Sequence, residues 1–132
     1  IVVGALRSDY QKTRIERLGA ELGVSVHTPL WHHDGQRHMT DIISHGFEVM
    51  MVSVSSDGLD SSWLGHVLDH DSLEELISLS EQHRFHPDGE GGEFETLVLS
   101  GPHMSGKILI DGEARWGGAR GTWHIKSGSM SY

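Results

Sequence analysis

The sequence has no cysteine, three prolines, and only 10 Lys plus Arg against 19 Asp plus Glu. Each shortage excludes something. Without cysteine there are no disulfides, no thiolate metal ligands and no cysteine nucleophile; such a chain suits the cytoplasm. The shortage of basic side chains leaves a formal net charge of −9. Nucleic acid is then a poor partner, because phosphates need a basic footprint. No apolar run approaches the ~18 residues of a membrane span, so no membrane association is expected. A G-x-S-x-G nucleophile elbow does not occur. The first residue is Ile1, and it opens straight into an apolar run. That start reads as a piece of a longer chain.

What is present is enough for one domain or two small lobes in 132 residues. Ile1–Ala5 is short, apolar and β-branched, the pattern of a buried strand. Ser8 and Gln11 have capping-box spacing. Ile15, Leu18 and Leu22 recur at helical steps, and Gly23 supplies the stop. Val24–Trp31 reads as a second strand. Strand, helix and strand at this spacing predict a βαβ unit with a parallel pair. After a polar loop at 32–38, Met39, Ile42 and Ile43 predict a short helix closed by Gly46. Phe47–Ser55 reads as a strand covered on both faces. Two short helices are expected next, one carrying Trp63, Leu64, Val67 and Leu68, the other Leu73, Leu76 and Ile77. Phe94–Leu99 is a strand, and Lys107–Asp111 with Thr122–Lys126 forms a β-ribbon. The fold class is α/β: a partial Rossmann-like lobe over residues 1–31, then a mixed α+β lobe over 32–132 ending in the ribbon.

Two stretches carry chemistry. The first is GEGGEFETLVLSGP at 89–102, in which Glu90, Glu93 and Glu95 crowd six residues. In an extended strand Glu93 and Glu95 share a face. Gly91 and Gly92 free the backbone to fold Glu90 back toward them. Converging carboxylates raise one another's pKa unless a cation joins them. The natural guests are Mg²⁺, ammonium, or an amine or basic group on a substrate; the plain alternative is a solvated acidic turn. The second stretch is GALRSDYQKTR at 4–14, at the end of one strand and the start of a helix. Ligands and anions gather at that place in α/β sheets. A helical wheel puts Gln11 among Ile15, Leu18 and Leu22, facing the sheet, with Arg14 at the border of that stripe. The plain alternative here is an ordinary cap with a surface arginine. His66 and His70 are four apart, but the expected helix ends near Leu68 and no third ligand follows, so no metal site is assigned.

GALRSDYQKTRIERL, PLW, GLDSSWLG and GEGGEFETLVLSGP, in that order, resemble the C-terminal part of the diphthine–ammonia ligases. These are members of the PP-loop ATPase, or N-type ATP pyrophosphatase, superfamily. The resemblance runs from about Gly4 to about Pro102, and Glu90–Thr96 is its most specific element. It implies an ATP-dependent ligase, using Mg²⁺, that activates the carboxylate of diphthine on translation elongation factor 2 and lets ammonia displace the nucleotide. It implies that Gly4, Ser8, Gln11 and Arg14 line the nucleotide side of an adenine nucleotide alpha hydrolase-like lobe. Glu90, Glu93 and Glu95 would then hold ammonium or steer the cationic diphthine, with Gly91, Gly92 and Thr96 around the substrate. The family's Ser-Gly-Gly-Lys-Asp-Ser phosphate loop is not in this sequence, so the chain by itself is not expected to activate a carboxylate. Three other readings compete. One is a PP-loop amidotransferase acting on a small metabolite. Another is a non-catalytic lobe recognising a basic protein face. The last is a fragment whose exposed strand edge drives homo-oligomer formation.

Overall fold

A computed structural model describes residues 1–132. The chain forms three helices and four strands, in the order α1 (Asp9–Leu22), α2 (Gly35–Ser44), β1 (Glu48–Val54), α3 (His70–His83), β2 (Phe94–Ser100), β3 (Lys107–Gly117) and β4 (Arg120–Ser131). The strands make one sheet, ordered β2-β1-β4-β3, and all three pairings are antiparallel. No helix is long and apolar enough to cross a membrane.

The sheet is two-faced because paired residues alternate sides. Val54 pairs with Phe94 and Gly121, and Met51 with Thr96. This set lies toward the helices, where Met51 and Val54 are fully buried with Leu76 of α3. Each such side chain contributes roughly 1.5–3 kcal/mol through burial. Ser53 pairs with Glu95 on one side and Thr122 on the other, on the open face. A register shift between Met51 and Ser53 lets Met51 and Val54, three residues apart, face the same side.

The helices end where local chemistry says they should. Ser8 Oγ accepts from the Gln11 N–H at 3.3 Å, and Gly23 closes α1 in the left-handed region at φ +66°. Asp34 caps α2 through the Arg37 N–H at 2.8 Å. Asp69 and Ser72 form a reciprocal capping box on α3.

Two expectations need correction. The partial Rossmann-like lobe over residues 1–31 is reduced to α1 and one parallel bridge, Val2 to His27. Val3 N–H donates to His27 O and His27 N–H to Ile1 O, at 2.9 and 2.8 Å, and no sheet grows from them. Of the helix itself only Gly19 is buried, while Leu18 and Leu22 are exposed. The helix expected over Trp63–Leu68 is a single 3-10 turn at Ser61–Trp63 followed by extended chain. Gly65 sits at φ +79°, which stops a helix. Beyond it the backbone serves β1, whose edge β4 covers only at Ser53 and Val54. Gly65 N–H donates to Met51 O, Met51 N–H to His66 O, and Leu68 N–H to Val49 O. Those bonds satisfy buried backbone groups that a helix would have left orphaned.

Candidate functional site: an acidic glycine loop latched to the start of the first helix

α3 ends at Arg84, in the left-handed region at φ +59°. Phe85 then drops into the core, and the chain makes two tight turns. Gly89 N–H donates to His86 O at 3.0 Å and Gly92 N–H to Gly89 O at 2.9 Å. Both glycines have positive φ, at +72° and +81°. Ser55, just past β1, fastens the loop. Its N–H donates to Glu93 O at 2.8 Å and its hydroxyl to Gly92 O at 2.7 Å.

Glu93 does not extend along the strand as alternation alone predicts. Its side chain folds back over the loop, and Oε1 accepts the His86 N–H at 3.0 Å. The fold-back needs Gly91, because a Cβ there would stand 2.3 Å from Glu93 Oε1. The second oxygen, Oε2, is buried and has no partner. A buried acceptor left unpaired costs about 1–3 kcal/mol, so this oxygen favours any small donor that reaches it. Glu90 is half-buried in the same loop. Glu95 is elsewhere. It is exposed and lies in the cross-strand row with Ser53 and Thr122 on the open face. Thr96 points to the helix side with Met51 and borders a small cavity beside Met39 and Ile42. Gly91 and Gly92 are exposed at the loop's tip.

The loop is latched to the segment before α1. Asp88 has a fully buried carboxylate; Oδ2 is 2.7 Å from Arg7 Nη2, and Oδ1 accepts the Glu90 N–H at 3.1 Å. Arg7 Nη1 also lies 3.3 Å from His86 Nδ1. Gly35, the first residue of α2, makes room for the pair. A Cβ there would meet Asp88 Oδ2 at 2.4 Å and Arg7 Nη2 at 3.1 Å. The Asp88 carboxylate therefore also sits at a helix N-terminus, which favours negative charge. Ala5 and Leu6 are buried, and His32 N–H donates to Leu6 O at 2.7 Å, so the Arg7 backbone is held from behind.

On α2, His38 is half-buried, with its ring 5.9 Å from that of His33 in an edge-on contact. Burial, reinforced by His33, holds the His38 pKa below its ordinary value; Asp88, Asp41 and Glu90 oppose that shift weakly. Burial thus favours the neutral form of the His38 imidazole.

The residues expected on a nucleotide side are less gathered. Gly4 is exposed with open space around it. The Ser8 hydroxyl is used in capping α1. Gln11 is exposed, not turned toward the sheet, because α1 has no sheet beneath it. Arg14 donates to the Tyr10 hydroxyl at 3.0 Å and stacks over its ring. The Ser8 hydroxyl is engaged in the cap and Arg14 with Tyr10, so no step through ATP is derived from these residues. His66 lies in extended chain and His70 opens α3, so the pair does not share a helix face. Sequence reading missed Arg7, Asp88, Gly35 and His38. The one signal for Arg7 was its place beside Ser8.

A glycine loop with two half-buried glutamates is thus held near the start of a helix by an ion pair whose carboxylate is buried, in a mixed α/β domain built on a four-stranded antiparallel sheet. Residues 34–130 match the family model described as the diphthamide synthase C-terminal domain, and the chain belongs to that family. It is 34% identical over 110 residues to the diphthine–ammonia ligase of Schizosaccharomyces pombe, covering 83% of this chain and 18% of that protein. To the human and Danio rerio proteins of the same name it is 37% and 38% identical, over 84% of this chain and 42% and 44% of theirs. The chain therefore spans less than half the length of these relatives.

Proposed function

We propose that this chain provides the ammonium-holding wall of an ATP-dependent amide-forming ligase in diphthamide biosynthesis. Its acid substrate is diphthine on elongation factor 2. The single observation behind this reading is Glu93. Its one oxygen is fixed by the His86 N–H while the other is buried and unpaired. An ammonium ion can donate to that oxygen and place its charge near Glu90. Low local dielectric strengthens the attraction. Ammonia attacks only after losing a proton, and a carboxylate can take it. His38, kept neutral by burial beside the loop, can carry the proton onward. The relatives' names and the family match support the pathway. ATP enters as the reaction's co-substrate, with Gly4, Ser8, Gln11 and Arg14 kept as the expected nucleotide side.

The test is amide formation on diphthine-bearing elongation factor 2, with ATP and varied ammonium, by a ligase carrying this domain. Glu93→Gln keeps the shape and removes the charge. It should raise the KM for ammonium about tenfold or more, equal to ~1.4 kcal/mol of lost binding. Turnover unchanged at every ammonium concentration overturns the reading.

A further inference from the structure

The open face of the sheet carries a second feature. Across three strands the register sets Glu95 of β2, Ser53 of β1 and Thr122 of β4 in one row. The pairing of Thr122 with Arg115 extends that row onto β3. Glu95, Ser53 and Thr122 border a groove of about 410 Å³, which Leu97 and Arg120 also line. Leu97 is two residues beyond Glu95 and shares its strand face; Arg120 stands likewise to Thr122.

The charges in this groove are unspent. Arg115 and Lys126 are both tied to Glu113 on the neighbouring strand surface. Glu95 and Arg120 line one groove, yet neither takes part in any ion pair, with each other or with a third group. The Ser53 side chain between them makes no hydrogen bond within the chain, although the residue is only 8% exposed. Adjacent strands lie ~4.8 Å apart, so the Glu95 and Thr122 backbones are separated by ~10 Å. Arg120 stands two residues, ~7 Å, along β4 from Thr122, and Glu95 and Arg120 both line the groove across this span.

We propose that this groove binds a small zwitterion, with its ammonium end on Glu95 and its carboxylate end on Arg120. Ser53 and Thr122 lie under its middle, and Leu97 closes the groove beyond Glu95. The site fits an ω-amino acid of four or five carbons better than an α-amino acid, whose two charges are too close to engage both walls. A ligand with one charge would meet one wall and leave the other unpaired, which is the basis of discrimination. The groove is distinct from the glycine loop, where Glu93 folds away from this face.

The experiment is a titration of the ¹⁵N-labelled chain with 5-aminovalerate, followed by amide shifts, with pentylamine and valerate as single-charge probes. Saturable shifts at Ser53, Leu97 and Thr122 are expected for the zwitterion, at concentrations at least tenfold below those needed for either probe. Glu95→Gln should weaken the zwitterion and pentylamine but not valerate; Arg120→Gln should weaken the zwitterion and valerate but not pentylamine. Both positions are exposed, so an unchanged amide spectrum elsewhere shows the fold intact. Absence of saturable shifts in the groove, or equal binding of a singly charged probe, overturns the proposal. Glu93→Gln leaves groove binding unchanged if the proposal holds. A silent groove beside an ammonium dependence that still follows Glu93 removes this inference and leaves the ligase reading standing.

Discussion

Replacing Arg7 by Met tests whether the latch holds the acidic loop in place. The Asp88 carboxylate has no exposure of its own, and Arg7 is its only cationic partner, at 2.7 Å. Removing one member of a buried pair costs about 3–5 kcal/mol, because the other charge stays buried and uncompensated. Two features reduce that here. The Arg7 side chain is 36% exposed, so water already shares its charge. Asp88 also keeps the Glu90 N–H at 3.1 Å and the start of α2. The expected loss for Arg7→Met is therefore about 2–3 kcal/mol, near the lower bound for such pairs. For a domain of this size each kcal/mol lowers Tm by roughly 3–5 °C, so a fall of about 10 °C is expected. Urea unfolding of wild type, Arg7→Met, Asp88→Asn and the double variant gives a thermodynamic cycle. Once Asp88 is neutral the loss of Arg7 should matter less, with a coupling of at least ~1 kcal/mol. A change below ~0.5 kcal/mol in Arg7→Met, or additivity within that margin, refutes the latch.

Three other outcomes follow from the packing and from His38. Leu76→Ala, at a fully buried position in the core, should cost about 3–4 kcal/mol in urea unfolding. Gly65→Ala should cost about 2–4 kcal/mol, combining left-handed strain at φ +79° with a Cβ 2.7 Å from the Trp123 ring. Its signature is a changed Trp fluorescence spectrum, and an unaltered one argues against the contact. The folded-state pKa of His38 lies below its unfolded value, so the unfolded chain binds more protons as pH falls. Its contribution to stability is then complete above about pH 6.5 and is lost as pH drops through the folded pKa. His38→Gln should flatten the stability profile below that pH; a profile of unchanged slope assigns the effect to another group.

The parts of the fold that could be read in the sequence were those decided locally. Ser8 and Gly23 frame α1, and the apolar run around Met51 marks a central strand. The ribbon of β3 and β4 showed in KILID and TWHIK, although both strands extend well past them. The failures were decided at a distance. Ile1–Ala5 has the composition of a buried strand, yet a strand needs neighbours, and here its pairing is a single bridge to His27. Trp63–Leu68 carries helical spacing, yet the open edge of β1 claims its backbone. The site divided in the same way. Clustering of glutamates marked the loop, but which of them bends inward depends on the His86 N–H and on Gly91. The ion pair that anchors the loop joins residues 81 positions apart, beyond any spacing rule.

The slender attachment of α1 has a kinetic consequence. Its own Lys12 ammonium lies 4.8 Å above the Trp31 ring, and the segment before it is tied down by the Arg7 guanidinium on Asp88 and by the His32 N–H on Leu6 O. Such a helix opens as a unit long before the core does. Its amides should exchange with deuterium in a fast group of their own, while those of Met51 and Val54 wait for global unfolding. Breaking the Arg7 contact should speed the first group and leave the second where it was, apart from the loss in total stability.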